Sequence, residues 1–318
     1  MDLEKKKRFL FIVNPISGGK KKENFKDKVS QHLDPSHNSW EIINTEYPGH
    51  ATRIVIDNLN RFNVFVAVGG DGTVNEVGKA LVNTDKIMGI VPVGSGNALG
   101  RVLHIPLSVS RALDLLSKGN LKSIDSLTIN EQRFFNVAGV GFDAHIAHRF
   151  AKHHQRGFVS YAQLVTRDFL KYRSEEYELI VDGKNRKVKA FLITIANSPQ
   201  YGNNAFIAPC AKIADGFLDV CIMKEFPVVL AADMGVRLFD KRIQYSKYCN
   251  YLRGHEVIIR HPGKFEYHID GEPMIGENEL VVKIDPASLN VIHNPSWRFW
   301  DEKFSNFASK KKWFRDID

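Results

Sequence analysis

Val68-Gly69-Gly70-Asp71-Gly72-Thr73-Val74-Asn75-Glu76-Val77 is the stretch on which the reading of this chain turns. It follows an apolar run, Phe62 with Val64–Val68, that has the composition of a buried strand, and it leads into a segment of helical character. A strand–turn–helix junction with three glycines lets backbone N–H groups face a phosphate, and the helix N-terminus adds positive dipole. Asp71 lies in the middle of that loop, where a carboxylate repels a bare phosphate. It suits instead a metal–water cluster or a hydroxyl awaiting deprotonation. The same residues also make an ordinary tight turn between strand and helix.

A second segment, Val91-Pro92-Val93-Gly94-Ser95-Gly96-Asn97-Ala98-Leu99-Gly100-Arg101, repeats the arrangement after the short strand Ile87–Val91. Two successive strand–loop–helix units place both loops at the carboxyl edge of one parallel sheet, where ligands bind in such folds. Neither loop is a dinucleotide fingerprint or a P-loop. Gly94-Ser95-Gly96 lacks the third glycine, and Gly18-Gly19-Lys20 lacks both the earlier glycine and the following Ser/Thr.

Outward from these loops, residues 8–14, 41–45, 63–68 and 87–93 read as strands, separated by helix-compatible stretches near 22–33, 50–60 and 73–83. That alternation predicts an α/β domain with a parallel sheet over residues 1–120, ending in a helix near 108–117. From 121 to 318 the pattern becomes β-rich. Runs at 123–129, 134–140, 177–181, 188–196, 218–223, 255–260, 265–269, 280–284 and 289–293 predict a β-sandwich-like or barrel-like domain. Asp182-Gly183 and Pro262-Gly263 serve as turn dipeptides, and helical segments fall near 143–171 and 226–240.

Composition narrows the partners. The 318 residues suit two domains, and 43% hydrophobic with 25% charged residues is ordinary for a soluble protein. No apolar run approaches the ~20 residues that span a bilayer, and the short Phe9–Val13 run behind a basic N-terminus is not a signal peptide, so a cytoplasmic protein is expected. Three cysteines without a close pair argue against a disulfide framework or a zinc ribbon. A net charge of +8 favours nucleotides, nucleic acid or acidic lipid headgroups. The basic residues form no nucleic-acid module, so no nucleic acid is expected.

The ordered set of motifs resembles the diacylglycerol kinase catalytic domain, and more specifically the compact bacterial lipid kinases related to sphingosine and ceramide kinases. It consists of Asn14-Pro15 with Ser17-Gly18, then Gly69–Glu76 and Pro92–Asn97. Gly139–Asp143, Ala214–Asp219 and Asp270-Gly271-Glu272 complete it, so that matches run from about residue 8 to about residue 285. The first loop alone is also similar to NAD kinases and phosphofructokinases. The resemblance implies a nucleotide-binding domain of that type, a β-sandwich-like second domain, and an active site in the cleft between them. It implies ATP and Mg2+ as cofactors and transfer of phosphate to a lipid alcohol. Diacylglycerol, giving phosphatidic acid, comes first. Ser95-Gly96 resembles the sphingosine and ceramide kinase wording, which keeps a sphingoid base or ceramide in view. An NAD kinase and a catalytically inactive lipid- or nucleotide-binding regulator stay open beside them.

For single residues the resemblance and the local chemistry sit side by side. Gly69, Gly70, Gly72, Gly94, Ser95 and Asn97 line the two loops, and the Thr73 hydroxyl suits a phosphate oxygen. Asn75 and Glu76 are either ligands or helix-capping residues. Asn14 reaches a ribose or phosphate, or merely makes an Asn-Pro turn. Thr45, at the end of the second strand, is implied as a nucleotide contact. Asp270 and Glu272 occupy what is otherwise a hairpin turn, and relatives place the proposed base there. Glu272 is taken ahead of Asp270, with Asp71 as metal organiser or rival base. Asp215 through its carboxylate, with Lys212 and Phe217 through backbone oxygens, resembles a structural magnesium site, Phe217 standing where leucine is usual; an Asp-Gly turn is the plainer reading. His145, His148, His153 and His154 fit a solvated helical face, or one near an anionic surface, better than a metal site. The aromatic stripe Trp300, Phe304 and Phe307, with lysines nearby, is either a packed terminal helix or an interfacial one. Expected partners are therefore a lipid substrate and peripheral contact with the inner face of the membrane, and a homodimer is compatible with the chain.

Overall fold

The computed structural model describes residues 7–19, 24–152 and 158–295. The C-terminal aromatic stripe, the helical tail expected there, His153 and His154 lie outside the described residues. The chain divides into two compact units, one formed by residues up to Ile124 and from Ala287 onward, the other by Asp125–Pro286.

In the first unit β1 (Lys7–Val13), β2 (Asn38–Asn44), β3 (Val64–Gly69) and β4 (Ile87–Pro92) form a parallel sheet in the order β2-β1-β3-β4. Every residue of β3 and β4 is buried, as a sheet covered on both faces requires. The helices are α1 (Phe25–His32), α2 (His50–Asn58), α3 (Asp71–Leu81), α4 (Ala98–Val102) and α5 (Val109–Lys118). α3 buries Thr73, Val74, Val77, Gly78 and Leu81, a helical stripe laid on the sheet.

The expected boundary at residues 120/121 left the whole C-terminal part in the second domain. The chain instead returns: Asn290 and Val291 pair in parallel with Ile87 and Met88 of β4. The apolar run 289–293 therefore covers the otherwise open edge of the parallel sheet, an edge that costs unpaired backbone groups if left bare.

The second unit is a mostly antiparallel β structure built from the end of β5 (Asn120–Ile129), β6 (Gln132–Phe134), β7 (Val137–Gly141), β8 (Glu175–Val181), β9 (Lys184–Ala190), β10 (Leu192–Ala196), β11 (Leu218–Met223), β12 (Cys249–Gly254), β13 (Glu256–Ile269) and β14 (Glu272–His293). Its helices are α6 (Phe142–Ala151), α7 (Phe158–Phe169) and α8 (Ala231–Phe239). The order β12-β11-β10-β7-β13-β14 runs across the sheet, and β8 with β9 attaches to the first half of β13. One half of β13, Val257–Arg260, pairs with β8 and the other, Tyr267–Ile269, with β7. A long strand that changes partners in this way is the means by which a sandwich turns its corner. The core between the layers includes Leu127, Phe134, Val140, Leu179, Ile193, Val220, Val257, Tyr267 and Leu280.

Of the two expected turns one forms as expected and one does not. Asp182 (φ 46°) and Gly183 (φ 79°) make the expected two-residue hairpin. Pro262-Gly263 does not end a strand; it sits inside β13 at the register shift between Arg260 and Lys264. Proline withholds a ladder donor and Gly263 supplies φ 73°, so the dipeptide makes a bulge. Nothing lies within 4 Å of a Cβ built on Gly263. Gly263→Ala is therefore expected to cost about 1–2 kcal/mol, from the left-handed backbone alone. Urea denaturation measures it, and Gly263→Asn should recover much of the loss.

Candidate active site

Three loops meet at the carboxyl ends of β1, β3 and β4, and they meet through glycine. A Cβ on Gly18 (φ 76°) would stand 2.0 Å from the carbonyl oxygen of Val93, and one on Gly94 would stand 2.5 Å from the Cα of Gly70. These glycines thus allow the loops to approach each other, beyond leaving room for a ligand. The Val93 N–H donates to the carbonyl of Gly69 (3.0 Å), and the Asn14 N–H donates to that of Val68 (3.0 Å).

Asp71 is the joint between the two glycine loops. It opens α3 after an extended Gly70, and its two carboxylate oxygens accept the N–H groups of Asn97 (2.9 Å) and Ala98 (2.6 Å), at the start of α4. A Cβ on Gly96 would lie 2.5 Å from the same carboxylate. Burial pushes the Asp71 carboxyl above its usual range, and the two backbone N–H bonds and the Arg101 charge pull against that. Asp71, expected as metal organiser or rival base, thus has each of its oxygens engaged by one backbone donor.

The other first-unit residues separate into those facing the loops and those serving neighbours. Asn14 donates through Nδ2 to the Thr73 hydroxyl (3.3 Å), and Thr73 is buried beneath Gly69. Asn97, in the left-handed region, closes its own loop: Oδ1 accepts the Gly94 N–H (3.0 Å) and Nδ2 donates to the Gly94 carbonyl (2.7 Å). Gly72 and Ser95 are exposed at the loop surface, and Asn75 is half-buried. Thr45 follows β2, its N–H bonded to the Val13 carbonyl (2.8 Å). Glu76 points elsewhere: it accepts the N–H groups of Gly49 (2.8 Å) and Ala51 (3.1 Å) and so caps α2, not its own helix. Sequence alone held capping open but not which helix is capped, because the partner lies 27 residues away.

In the second unit Asp270 (φ 49°) and Gly271 (φ 86°) form the tight turn between β13 and β14, with Ile269 opposite Glu272. The Asp270 carboxylate accepts three backbone N–H groups, from Phe135 (3.3 Å), Asn136 (3.0 Å) and Val137 (2.9 Å), and its own N–H donates to the Val137 carbonyl. Glu272 is exposed at the first position of β14. Beside the turn stands buried His268, its Nε2 3.2 Å from Asp143; Asp143 also accepts the hydroxyls of Thr194 (2.8 Å) and Tyr201 (3.1 Å). In the sequence Asp143 stands out only as part of a motif, and nothing there signals its buried partners.

The loop Lys212–Phe217 has the donors that the implied divalent cation requires. Asp215 accepts the Phe217 N–H (3.3 Å) and pairs with the guanidinium of Arg253, which lies over the Phe217 ring at 4.7 Å. Buried Asp219, four residues on, is pushed up to about 7 by burial despite Arg253, and its Oδ2 has no hydrogen-bond partner. The Asp215 and Asp219 carboxylates, with Arg253 and Lys212 as their cations and one buried oxygen unmatched, are hard donors of the kind a hard cation takes. Asp125 secures the loop by accepting the Gly216 N–H (2.8 Å) and donating its own N–H to the Ile213 carbonyl (2.8 Å).

His145 and His148 do not form the solvated face expected of them. His145 lies 3.2 Å from Asp168 and 3.7 Å from Glu266, and His148 Nε2 is 2.9 Å from the Met274 carbonyl. Among the described residues no three His, Cys, Asp or Glu side chains group closely enough to hold a metal through side chains alone.

Comparison with known proteins places the chain in a family and a fold. The diacylglycerol kinase catalytic domain family matches residues 8–129, and the YegS C-terminal NAD kinase beta sandwich-like domain matches residues 136–293. Diacylglycerol kinase of Bacillus subtilis is 30% identical over 287 residues, covering 84% of this chain and 90% of that protein. A crystal structure of a diacylglycerol kinase from Bacillus anthracis superposes with a TM-score of 0.70 at 20% identity, over 91% of this chain and 98% of that one. An NAD kinase from Archaeoglobus fulgidus, solved with ATP, has a TM-score of 0.52 at 13% identity, over 97% and 100% of the two chains. The last two show the fold: an NAD kinase-like parallel domain and a β-sandwich.

Two substitutions separate support from chemistry. Gly94→Ala sets a methyl against the Gly70 backbone, which has no soft side chain to yield; a loss of about 1–3 kcal/mol is expected in denaturant titration. Asp270→Asn keeps the shape but surrenders the charged acceptor of three N–H bonds, and about 2–3 kcal/mol should be lost. A melting curve unchanged by Asp270→Asn would remove its structural role.

Proposed function

Because the chain belongs to the lipid kinase family of the diacylglycerol kinase and YegS type, we propose that it transfers the γ-phosphoryl group of ATP to the hydroxyl of diacylglycerol, giving phosphatidic acid and ADP. The observation that carries this reading is the pair of glycine loops locked together by Asp71 at the carboxyl ends of β3 and β4. Such a pair presents backbone N–H groups to phosphates on a scaffold that needs no reorganisation.

In this reading the first unit holds the nucleotide. Gly70, Gly72, Gly94 and Ser95 supply the loop surface above buried Gly69, and Asn14, Thr73 and Asn97 fix its shape. Thr45 and Asn75 border it. Magnesium arrives with ATP as part of the substrate and neutralises phosphate charge. A second, structural magnesium would be held by Asp215 and the backbone oxygens of Lys212 and Phe217, with Asp219 adjacent, and would supply charge balance to that loop.

The second unit supplies the base. Asp270 is committed to three backbone N–H groups, so Glu272 is the carboxylate of the turn that remains available. Glu272 takes the proton of the lipid hydroxyl as its oxygen bonds to the γ-phosphorus. The bond from that phosphorus to the β–γ bridging oxygen breaks, and ADP leaves with the electron pair. The enzyme acts where its acceptor resides, at the inner face of a membrane. No helix among the described residues is long and apolar enough to cross one.

Incubation with γ-labelled ATP and magnesium, offering diacylglycerol, sphingosine, ceramide and NAD in turn, tests the assignment. Label should appear in phosphatidic acid; label confined to NADP or to a sphingoid phosphate would replace it. Glu272→Gln should lower kcat by about two to four decades with the melting temperature unchanged, because the side chain is exposed. Near-normal turnover in that variant would transfer the role of base to another group.

A further inference from the structure

The second unit carries a helix face that its own core does not cover. A short helical turn, Val228–Leu230, runs into α8. Met234 is buried, and Leu230, Ala231 and Leu238 pack on the core, which fixes one side of the helix inward. On the other side stand Val229, Ala232, Val236 and Phe239, at spacings of three, four and three residues that keep them on one stripe. Val229 is 86% exposed, Val228 57%, Val236 56% and Phe239 48%. Lone exposed apolar side chains are ordinary; Val228, Val229 and Val236 exposed together on one helical segment form a patch of the kind that marks an association surface.

The charges around the stripe indicate which partner. The acids on α8 and at its end are already matched: Asp233 accepts from Arg237 (2.6 Å) and Asp240 from Arg242 (2.7 Å). Lys224, Arg242 and Lys247 are exposed at the margins, and Lys241 lies half-buried with its ammonium 4.4 Å over the Phe206 ring. Residues 224–247 hold five basic and three acidic side chains. An apolar stripe edged by lysine matches an anionic lipid surface, where aliphatic and aromatic groups enter the headgroup boundary and lysines meet phosphate. Lysine is depleted from protein–protein interfaces, which weighs against a second copy of the chain as the occupant.

We propose that the Val228–Phe239 face docks the protein on anionic membrane, a proposal that rests on the reading of its acceptor as a membrane lipid. The aliphatic side chains of Val228, Val229 and Val236 supply the insertion, and the basic margin supplies preference for anionic headgroups.

The test is co-sedimentation of the full chain with phosphatidylcholine vesicles, with and without phosphatidylglycerol. Val229→Asp/Val236→Asp should bind the anionic vesicles about tenfold or more weakly. Lys224→Glu/Lys247→Glu should weaken binding most at low salt. Both should retain the wild-type melting temperature and activity on a soluble short-chain diacylglycerol. Should the aspartate pair fail to fold, Val229→Ser/Val236→Ser serves instead. Wild-type sedimentation of a folded variant overturns the proposal. So does a wild-type dimer, seen by analytical ultracentrifugation, that the substitutions break without changing vesicle binding. If binding falls as expected while no lipid is phosphorylated by the wild type, the docking face stands and the kinase reading fails.

Discussion

The two hydrogen bonds from the Asn97 and Ala98 N–H groups to the Asp71 carboxylate are the constraint on which the candidate site depends. Each glycine loop alone is a flexible strand-to-helix turn. Joined by a carboxylate that satisfies the orphan donors of α4, the two become one surface with a fixed spacing. The close approaches of Gly18 to Val93 and of Gly94 to Gly70 follow, since no side chain fits between loops held so near. The raised Asp71 pKa is the cost of that placement: burial disfavours the charge, and only the backbone donors and Arg101 offset it.

The second unit uses the same device. Asp270 draws together the Phe135, Asn136 and Val137 N–H groups, anchoring the β13–β14 turn to the segment leading into β7. Asp182 does likewise for His255 and Glu256 (both 2.9 Å), and Asp125 for Gly216. At Asp270 and Asp182 a short acidic side chain at a turn substitutes for ladder bonds that the turn interrupts, whereas Asp125 acts from within β5. A carboxylate in a glycine-rich turn is therefore no guide to chemistry by itself. What distinguishes Glu272 is that no such backbone task claims it.

Much of the fold was legible in the sequence because the first unit obeys strong periodic rules. Fully apolar runs such as Phe9–Val13 and Val64–Val68 can only be strands covered on both faces, and Asp71–Leu81 repeats its buried residues at helical spacing. The second unit was less clear for physical reasons. β13 and β14 are single strands of 14 and 22 residues that bulge, so their apolar runs look like separate short strands. β9 alternates lysines and arginine with only Val188 and Ala190 turned inward, and β12 is broken by polar residues. Neither carries a strand signal strong enough to stand without its neighbours. The return of 289–293 to the first sheet rests on a parallel pairing about 200 residues away in sequence, and no local pattern announces it.

The site residues divide along the same line. Sequence chemistry names the carboxylates as a set but cannot rank them, because rank depends on which backbone donors each one meets. Asp71 and Asp270 meet two and three; Glu76 meets two on another helix; Glu272 meets none among the described residues. Protonating Asp270 would abandon three backbone N–H bonds, each of which stabilises the charged form, and turning Asp71 toward a substrate would unlock the two glycine loops it joins. The assignment of the base to Glu272 therefore follows from counting what the other acids already hold. It does not depend on any property of Glu272 beyond its position at a rigid two-residue turn, and that turn is rigid because Asp270 is spent on holding it.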